Sequence, residues 1–260
     1  MKHIIQSCLE KFGYRLISLK DDHQRRKACV NEIDGFYRRF VFKDFPGFDL
    51  KRNDLVARLK GTGIGEAMHL CAYLNRTRNI EGDVCEFGVA QGRTSALLAH
   101  EIRLTSKQLF LFDSFKGLPK PSVHDQLKDD IFNLGSMGRY AGKMASTVNL
   151  VKAELDRVEF PVERVKIVPG FIEETIKFQG LPAKVSFAYV DFDFYEPIKI
   201  ALEYLHNVLP VGAVVVVDDY DFFSTGAKKA VDEFVAAHKT DYAFKLPECS
   251  ADKFAVLEKT

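Results

Sequence analysis

From residue 83 onward the chain repeats one pattern: a short apolar run, a polar or glycine-containing turn, then a stretch with helical spacing. "DVCEFG" (83–88), "QLFLFD" (108–113), "RVKIVPG" (164–170), "KVSFAYVDFD" (184–193) and "GAVVVVDD" (212–219) read as strands. "RTSALLAHEIRL" (93–104), "KMASTVNLVKAEL" (143–155), "FIEETIKF" (171–178), "PIKIALEYLHNVL" (197–209) and "GAKKAVDEFVAAH" (226–238) read as helices. "YAFKLP" and "KFAVLE" close the chain as an antiparallel hairpin around the loop "ECSAD". Short apolar strands alternating with helices predict an α/β fold: a doubly wound, mostly parallel seven-stranded sheet covered on both faces, its last strand antiparallel.

Residues 1–60 lack this alternation. They read as an N-terminal helical arm with some irregular chain, used for packing or for contacts in a dimer, ahead of a domain spanning 61–260. Ile4, Ile5, Cys8, Leu9 and Phe12 fall on one helical face, which suits packing on the protein or a second subunit better than contact with a membrane surface. "GEAMHLCAYLNRT" (65–77) is a helix leading into the first strand. Residues 114–142 are polar and glycine-rich, and 116–142 is expected to act as a lid. Gly135, Gly138 and Gly142 would be its hinges, and His124, Asp125 and Arg139 would face an acceptor. Lys and Arg number 37 against 36 Asp and Glu, so no basic excess points to nucleic acid. The five cysteines (Cys8, Cys29, Cys71, Cys85 and Cys249) are scattered without CxxC spacing and read as free thiols of a reducing compartment. With no apolar transmembrane run and no signal peptide, the cytoplasm is the expected location.

In a doubly wound sheet the ligand lies outside the carboxyl ends of the strands. After the first strand, "EFGVAQGRTSA" holds Gly88 and Gly92 in a tight turn before a helix. The spacing is not that of a dinucleotide or triphosphate loop. Glu86 would repel a pyrophosphate and suit a cationic ligand. Asp113, closing the second strand, is placed to accept ribose hydroxyls. A nucleoside without phosphates that carries positive charge, such as S-adenosylmethionine, fits both. Strands four and five end in Asp191, Asp193, Asp218 and Asp219. Four neighbouring carboxylates call for a counter-charge, and oxygen-only donors favour Mg²⁺, Ca²⁺ or Mn²⁺ over zinc.

Five segments in order, "CEFGVAQGRTSA", "FDSFKGLP", "VKIVPGFIEETI", "VDFDFYEPIKIALEYL" and "GAVVVVDDYDFFSTGAKKAVDEF", resemble the macrocin O-methyltransferase (TylF-like) family of S-adenosylmethionine-dependent sugar O-methyltransferases, from about Thr62 to the C-terminus. The resemblance implies a Rossmann-like class I methyltransferase fold, a homodimer and Mg²⁺ dependence. It implies Asp191, Asp218 and Asp219 as metal ligands and Asp193 as general base. It places Glu86, Gly88, Gly92, Thr94, Asp113, Ser114, Gly170 and Phe171 in the cofactor pocket. The chain departs from the family at Phe192, where a small residue is usual, and at Pro197-Ile198, where a Ser-Thr pair is common. The acceptor is therefore expected to be a small molecule or glycan, with a cell-surface polysaccharide standing beside a macrolide sugar.

Two other readings stay open at this point. A catechol-like acceptor would want an apolar slot, which Phe192, Phe194, Phe222 and Phe223 could line. A non-catalytic binding protein would have no need of the four intact acids. His69 is a rival base, although a histidine within a helix is more often structural.

Overall fold

The computed structural model describes residues 19–247 and 253–260. The amphipathic N-terminal stretch through Phe12, with Cys8, and the loop "ECSAD", with Cys249, lie outside the described residues.

Among the described residues, seven strands form one sheet: β1 (Asp83–Phe87), β2 (Leu109–Asp113), β3 (Val165–Pro169), β4 (Val185–Val190), β5 (Val214–Val217), β6 (Tyr242–Lys245) and β7 (Ala255–Lys259). Their order is β3-β2-β1-β4-β5-β7-β6. All pairings are parallel except those of β7 with β5 and β6. This is the expected mostly parallel sheet with an antiparallel last strand. The central strands β4 and β5 are buried at every position, which is why "VSFAYV" and "VVVV" are continuous apolar runs rather than alternating ones.

Among the described residues, eight α-helices surround the sheet: α1 (Leu19–Phe36), α2 (Leu50–Arg58), α3 (Ile64–Arg76), α4 (Arg93–Ile102), α5 (Val148–Asp156), α6 (Ile172–Thr175), α7 (Tyr195–Val208) and α8 (Thr225–Ala237). On one face Phe87, Ala188, Val190 and Val215 meet Ile198 and Leu202 of α7 and Val231 and Phe234 of α8. On the other, Val84, Leu111, Phe187 and Val216 meet Leu70 of α3, Leu98 of α4 and Val151 of α5. Each of the Val, Leu, Ile and Phe side chains among them contributes roughly 1.5–3 kcal/mol by leaving water. The helix expected over 143–155 begins at Val148 instead. Met144 has φ 61°, off the helical path, and the Thr147 side chain caps the new start by accepting from the Leu150 N–H.

Helices α1 and α2, with a π-helical turn at Tyr37–Val41 between them, pack on α3 and α4 through Val30, Tyr37, Val56, Met68 and Leu97. Arg52 makes two parallel hydrogen bonds to Glu101 (2.8 and 2.9 Å), both side chains being buried. Asp49 caps α2 by accepting from the Lys51 and Arg52 amides, and meets His100 (3.0 Å) and Arg103 (2.9 Å) on the far side. Burial opposes its charge, but the Arg52 amide and His100 outweigh it and hold the carboxyl well below the usual range. Asp49→Ala should therefore lower stability by about 1–2 kcal/mol at neutral pH, read by urea unfolding. Because the folded value is depressed, this contribution is fully present above about pH 4 and is lost as pH falls below it. The gap between wild type and variant should shrink in acid.

Cys29, Cys71 and Cys85 are free thiols. Burial pushes the Cys71 and Cys85 thiols well above their ordinary value. Among the described residues no helix is long and apolar enough to cross a membrane.

Candidate active site

The turn after β1 is shaped by close approach of two strand ends. Gly88 sits at φ 93°, and a Cβ there would overlap the Asp191 carbonyl oxygen. The Asp191 N–H in turn donates to the Phe87 carbonyl (2.7 Å), extending the β1–β4 ladder by one residue. Asp113 Oδ2 accepts from the Val89 and Ala90 amides (2.8 and 2.9 Å), and Oδ1 accepts from the Phe115 amide (2.6 Å). These bonds clamp the turn to the end of β2 and still leave acceptor capacity for a ligand hydroxyl. Gly92 opens α4 in the left-handed region (φ 79°). A Cβ there would lie 2.8 Å from the Val151 Cα. The Thr94 hydroxyl lies 3.3 Å from that of Thr62.

A cavity of about 410 Å³ opens at these strand ends. Of the expected cofactor residues, Gly88, Asp113, Ser114, Gly170 and Phe171 line it, and the four acids Asp191, Asp193, Asp218 and Asp219 line it with Phe192. Gly92, Thr94 and Glu86 are not among the lining residues. Gly170 donates its amide to the Asp113 carbonyl (2.9 Å), tying the β3 end to the β2 end. Glu86 is fully buried. Its Oε2 accepts from the Ser95 hydroxyl, while Oε1 has no partner among the described residues. Burial, reinforced by Asp113 and opposed by Ser95, pushes its carboxyl up to about 8. A cationic ligand would relieve that cost. The glycine cradle at Gly88 and the unpartnered oxygen of Glu86 thus fit a cofactor with a positive group.

Asp191, Asp193 and Asp219 each offer a carboxylate oxygen, and the three oxygens lie within 4.8 Å of one another. Asp193 (φ 60°) and Asp219 (φ 55°) hold left-handed backbone, a strained state for non-glycine residues that collects at functional sites. Asp218 is held differently. Its Oδ2 accepts from the Tyr189 hydroxyl (2.8 Å) and its Oδ1 from the Asp219 amide (2.7 Å). Burial, then repulsion from Asp218 and Asp193, pushes the Asp191 carboxyl well above its ordinary value. Burial and then Asp218 and Asp193 do the same for Asp219. Burial lifts Asp193 to about 7, although its hydrogen bond with Asp219 pulls the other way. Oxygen donors alone, crowded and partly desolvated, suit a hard divalent cation.

The segment expected to be a lid is fastened down. Asp125 is buried: its Oδ1 accepts from the Tyr195 amide (2.8 Å) and its Oδ2 from the Ser122 amide and hydroxyl (both 2.7 Å). The His124 ring packs on Tyr195 with centroids 4.4 Å apart, and Arg139 donates to the Leu134 carbonyl. None of the three lines the cavity; Leu118, Pro119 and Ile131 reach it instead. Of the expected hinges, Gly135 and Gly142 take positive φ and Gly138 does not. Phe194 and Phe223 are buried with Leu118, Met137 and Tyr140, so only Phe192 and Phe222 of the expected aromatic slot face the cavity. His69 is buried against Tyr37, Phe42 and Phe254, with Nδ1 2.9 Å from the Gly65 carbonyl, and has a packing role. Lys60, Gly61 and Met144 also line the cavity. They carry no sequence signal, because only folding brings the loop before α3, with Lys60 and Gly61, and the segment before α5, with Met144, to the sheet end.

The strand order, the lone antiparallel strand and a cavity over the carboxyl ends of β1, β2, β4 and β5 define a class I methyltransferase fold. Solved methyltransferase structures share it. The O-methyltransferase NovP aligns over 92% of this chain and 99% of its own, with TM-score 0.62 and 19% identity. The calicheamicin methyltransferase CalS11 aligns over 95% of each chain, with TM-score 0.61 and 19% identity. The sequence pattern of the macrocin-O-methyltransferase (TylF) family matches residues 20–256, and the chain belongs to that family. A demethyldecarbamoylnovobiocin O-methyltransferase of Streptomyces niveus is 28% identical over 173 residues, which span 65% of this chain and 63% of that protein.

Proposed function

We propose that this protein transfers a methyl group from S-adenosylmethionine to a hydroxyl of a sugar, in a glycan, polysaccharide or glycosylated natural product. The observation that carries the proposal is the meeting of Asp191, Asp193 and Asp219 within 4.8 Å on a cavity shared with Gly88, Asp113 and Gly170. Family membership and the Streptomyces niveus relative support methyl transfer to oxygen. The phenolic alternative loses support with the burial of Phe194 and Phe223 away from the cavity.

S-Adenosylmethionine, when bound, supplies an electrophilic methyl group on a sulfonium. Gly88 lets the backbone come close to it, Asp113 takes ribose hydroxyls, and the buried Glu86 carboxyl, outside the cavity lining, becomes easier to ionise when a cation binds nearby. A hard divalent cation, Mg²⁺ foremost, held by Asp191, Asp218 and Asp219, would lower the pKa of the acceptor hydroxyl and orient it. Asp193 receives the hydroxyl proton. The wall from Leu118 to Ile131 keeps water from the reacting atoms. A second assignment, favoured by the hydrogen bonds that occupy Asp218, exchanges Asp193 for Asp218 among the ligands. Mg²⁺ affinity should fall in Asp218→Asn under the first assignment and in Asp193→Asn under the second.

The same reading takes residues 1–60 as an arm on a 61–260 catalytic domain, in a cytoplasmic homodimer. The direct test is a panel of nucleotide sugars and glycans, read by S-adenosylhomocysteine release with and without Mg²⁺. Failure to bind S-adenosylmethionine in calorimetry would overturn the proposal. EDTA should abolish turnover and added Mg²⁺ should restore it. Undiminished activity in EDTA would remove the cation from the mechanism.

A further inference from the structure

A second group of side chains able to hold a metal ion stands far along α7 from the acids. Helix α7 starts beside the acids and carries His206 about 16 Å along its axis. There His206 meets His238, which closes α8, and Asp241, in the turn before β6. One ligand atom from each of the three lies within 4.8 Å of the others. Asp241 Oδ2 is 4.0 Å from His206 Nε2 and 3.8 Å from His238 Nδ1. Tetrahedral zinc, with bonds of about 2.0–2.1 Å, sets its ligand atoms about 3.3 Å apart. Half-exposed side chains can close the difference of about half an ångström by small rotations.

The outer contacts are those a metal site needs. His206 Nδ1 lies 3.2 Å from the Tyr242 hydroxyl, which leaves Nε2 to face Asp241. Asp241 Oδ1 accepts from the Thr240 hydroxyl (3.1 Å), leaving Oδ2 toward the imidazoles. The Asp241 amide donates to the His238 carbonyl, and its own carbonyl accepts from the Thr260 amide (both 3.0 Å), so the backbone is fixed from both sides. Partners that orient both imidazole and carboxylate are the usual support of a bound ion. The two imidazole rings lie 3.9 Å apart, tilted by 32°. The Lys259 ammonium rests on the Tyr242 ring at 4.7 Å.

We propose that His206, His238 and Asp241 form a site for a divalent transition-metal ion of the zinc type, joining the C-terminal ends of α7 and α8 to the start of β6. Two imidazoles and one carboxylate select zinc over Mg²⁺, whereas the all-carboxylate cluster at the cavity selects the reverse. This ion takes no part in methyl transfer. It ties down elements whose other ends, Tyr195 and Ser224, flank the acids.

The test uses the full chain, stripped of metal and then given excess Mg²⁺, with zinc binding followed by competition against a chromogenic chelator. Wild type should take up one equivalent and gain in thermal midpoint. The Asp191→Asn/Asp219→Asn variant should do the same, which separates this site from the acidic cluster. His206→Asn/His238→Gln and Asp241→Asn should lose both responses while keeping their far-ultraviolet circular dichroism. Tyr242→Phe, a milder change, should bind about tenfold more weakly. Equal zinc uptake by wild type and the double histidine variant overturns the proposal. So does an affinity in Tyr242→Phe equal to that of wild type, should the histidine variants not fold.

Discussion

Gly88→Ala should remove S-adenosylmethionine binding, and turnover with it. Left-handed backbone costs a non-glycine residue about 1–2 kcal/mol, and Gly88 stands at φ 93°. The larger cost is steric. A new Cβ would overlap the Asp191 carbonyl oxygen, and Asp191 cannot retreat freely because its amide is bonded to the Phe87 carbonyl. Relief must push the β4 end away from β1, which displaces Asp191 and Asp193 from Asp219 and opens the turn that Asp113 clamps. Calorimetry with S-adenosylmethionine and a thermal melt read both effects. Gly138→Ala is the control: nothing lies within 4 Å of its Cβ position and its φ is not positive, so binding and midpoint should stay unchanged. A Gly88→Ala protein that binds the cofactor as wild type does would show that the turn is not the cofactor cradle.

Asp193→Asn should lower kcat by about 10²–10⁴-fold, the usual worth of a positioned general base. Cofactor affinity should change little. Asparagine matches the shape of aspartate and tolerates left-handed backbone, so the turn at φ 60° should survive and the loss should report the missing proton acceptor. The measurement needs a true acceptor and saturating Mg²⁺, because a changed metal affinity is what the alternative ligand set foresees. Full activity in Asp193→Asn would remove Asp193 from the role of base.

The strands and the acidic ends of β4 and β5 are legible in the sequence because parallel strands buried on both faces must be apolar throughout. A polar residue then marks where the sheet stops. "VSFAYV" ends at Val190 and "VVVV" at Val217, and the acids follow directly. What adjacent acids do is not legible. Asp218 and Asp219 are neighbours in sequence, yet one bonds to the core hydroxyl of Tyr189 and the other faces Asp191 and Asp193, a division set by backbone torsions. Asp113 shows a similar gap. Its place at the end of β2 is readable, but its bonds to the Val89 and Ala90 amides depend on how β1 and β2 align. The polar composition of 116–142 suggested a loose cover. Its few buried groups, Asp125 and Tyr140 above all, are not visible in that composition, because composition does not weight residues by burial.

The fastening of that segment bears on how the acceptor site could be exchanged between members of the family. Leu127 bridges to Ser224, the Gln126 amide donates to the Thr225 hydroxyl, and Asp125 occupies the space that a side chain at Gly226 would need. The proposed acceptor wall, the turn from Asp193 to Tyr195 and the start of α8 therefore form one transplantable unit. A chimera that carries 116–142 alone into another scaffold would bring a buried carboxylate without the amide and the glycine that receive it. One that carries 116–142 with 193–195 and 222–226 keeps the joint whole and leaves the cofactor half of the pocket untouched.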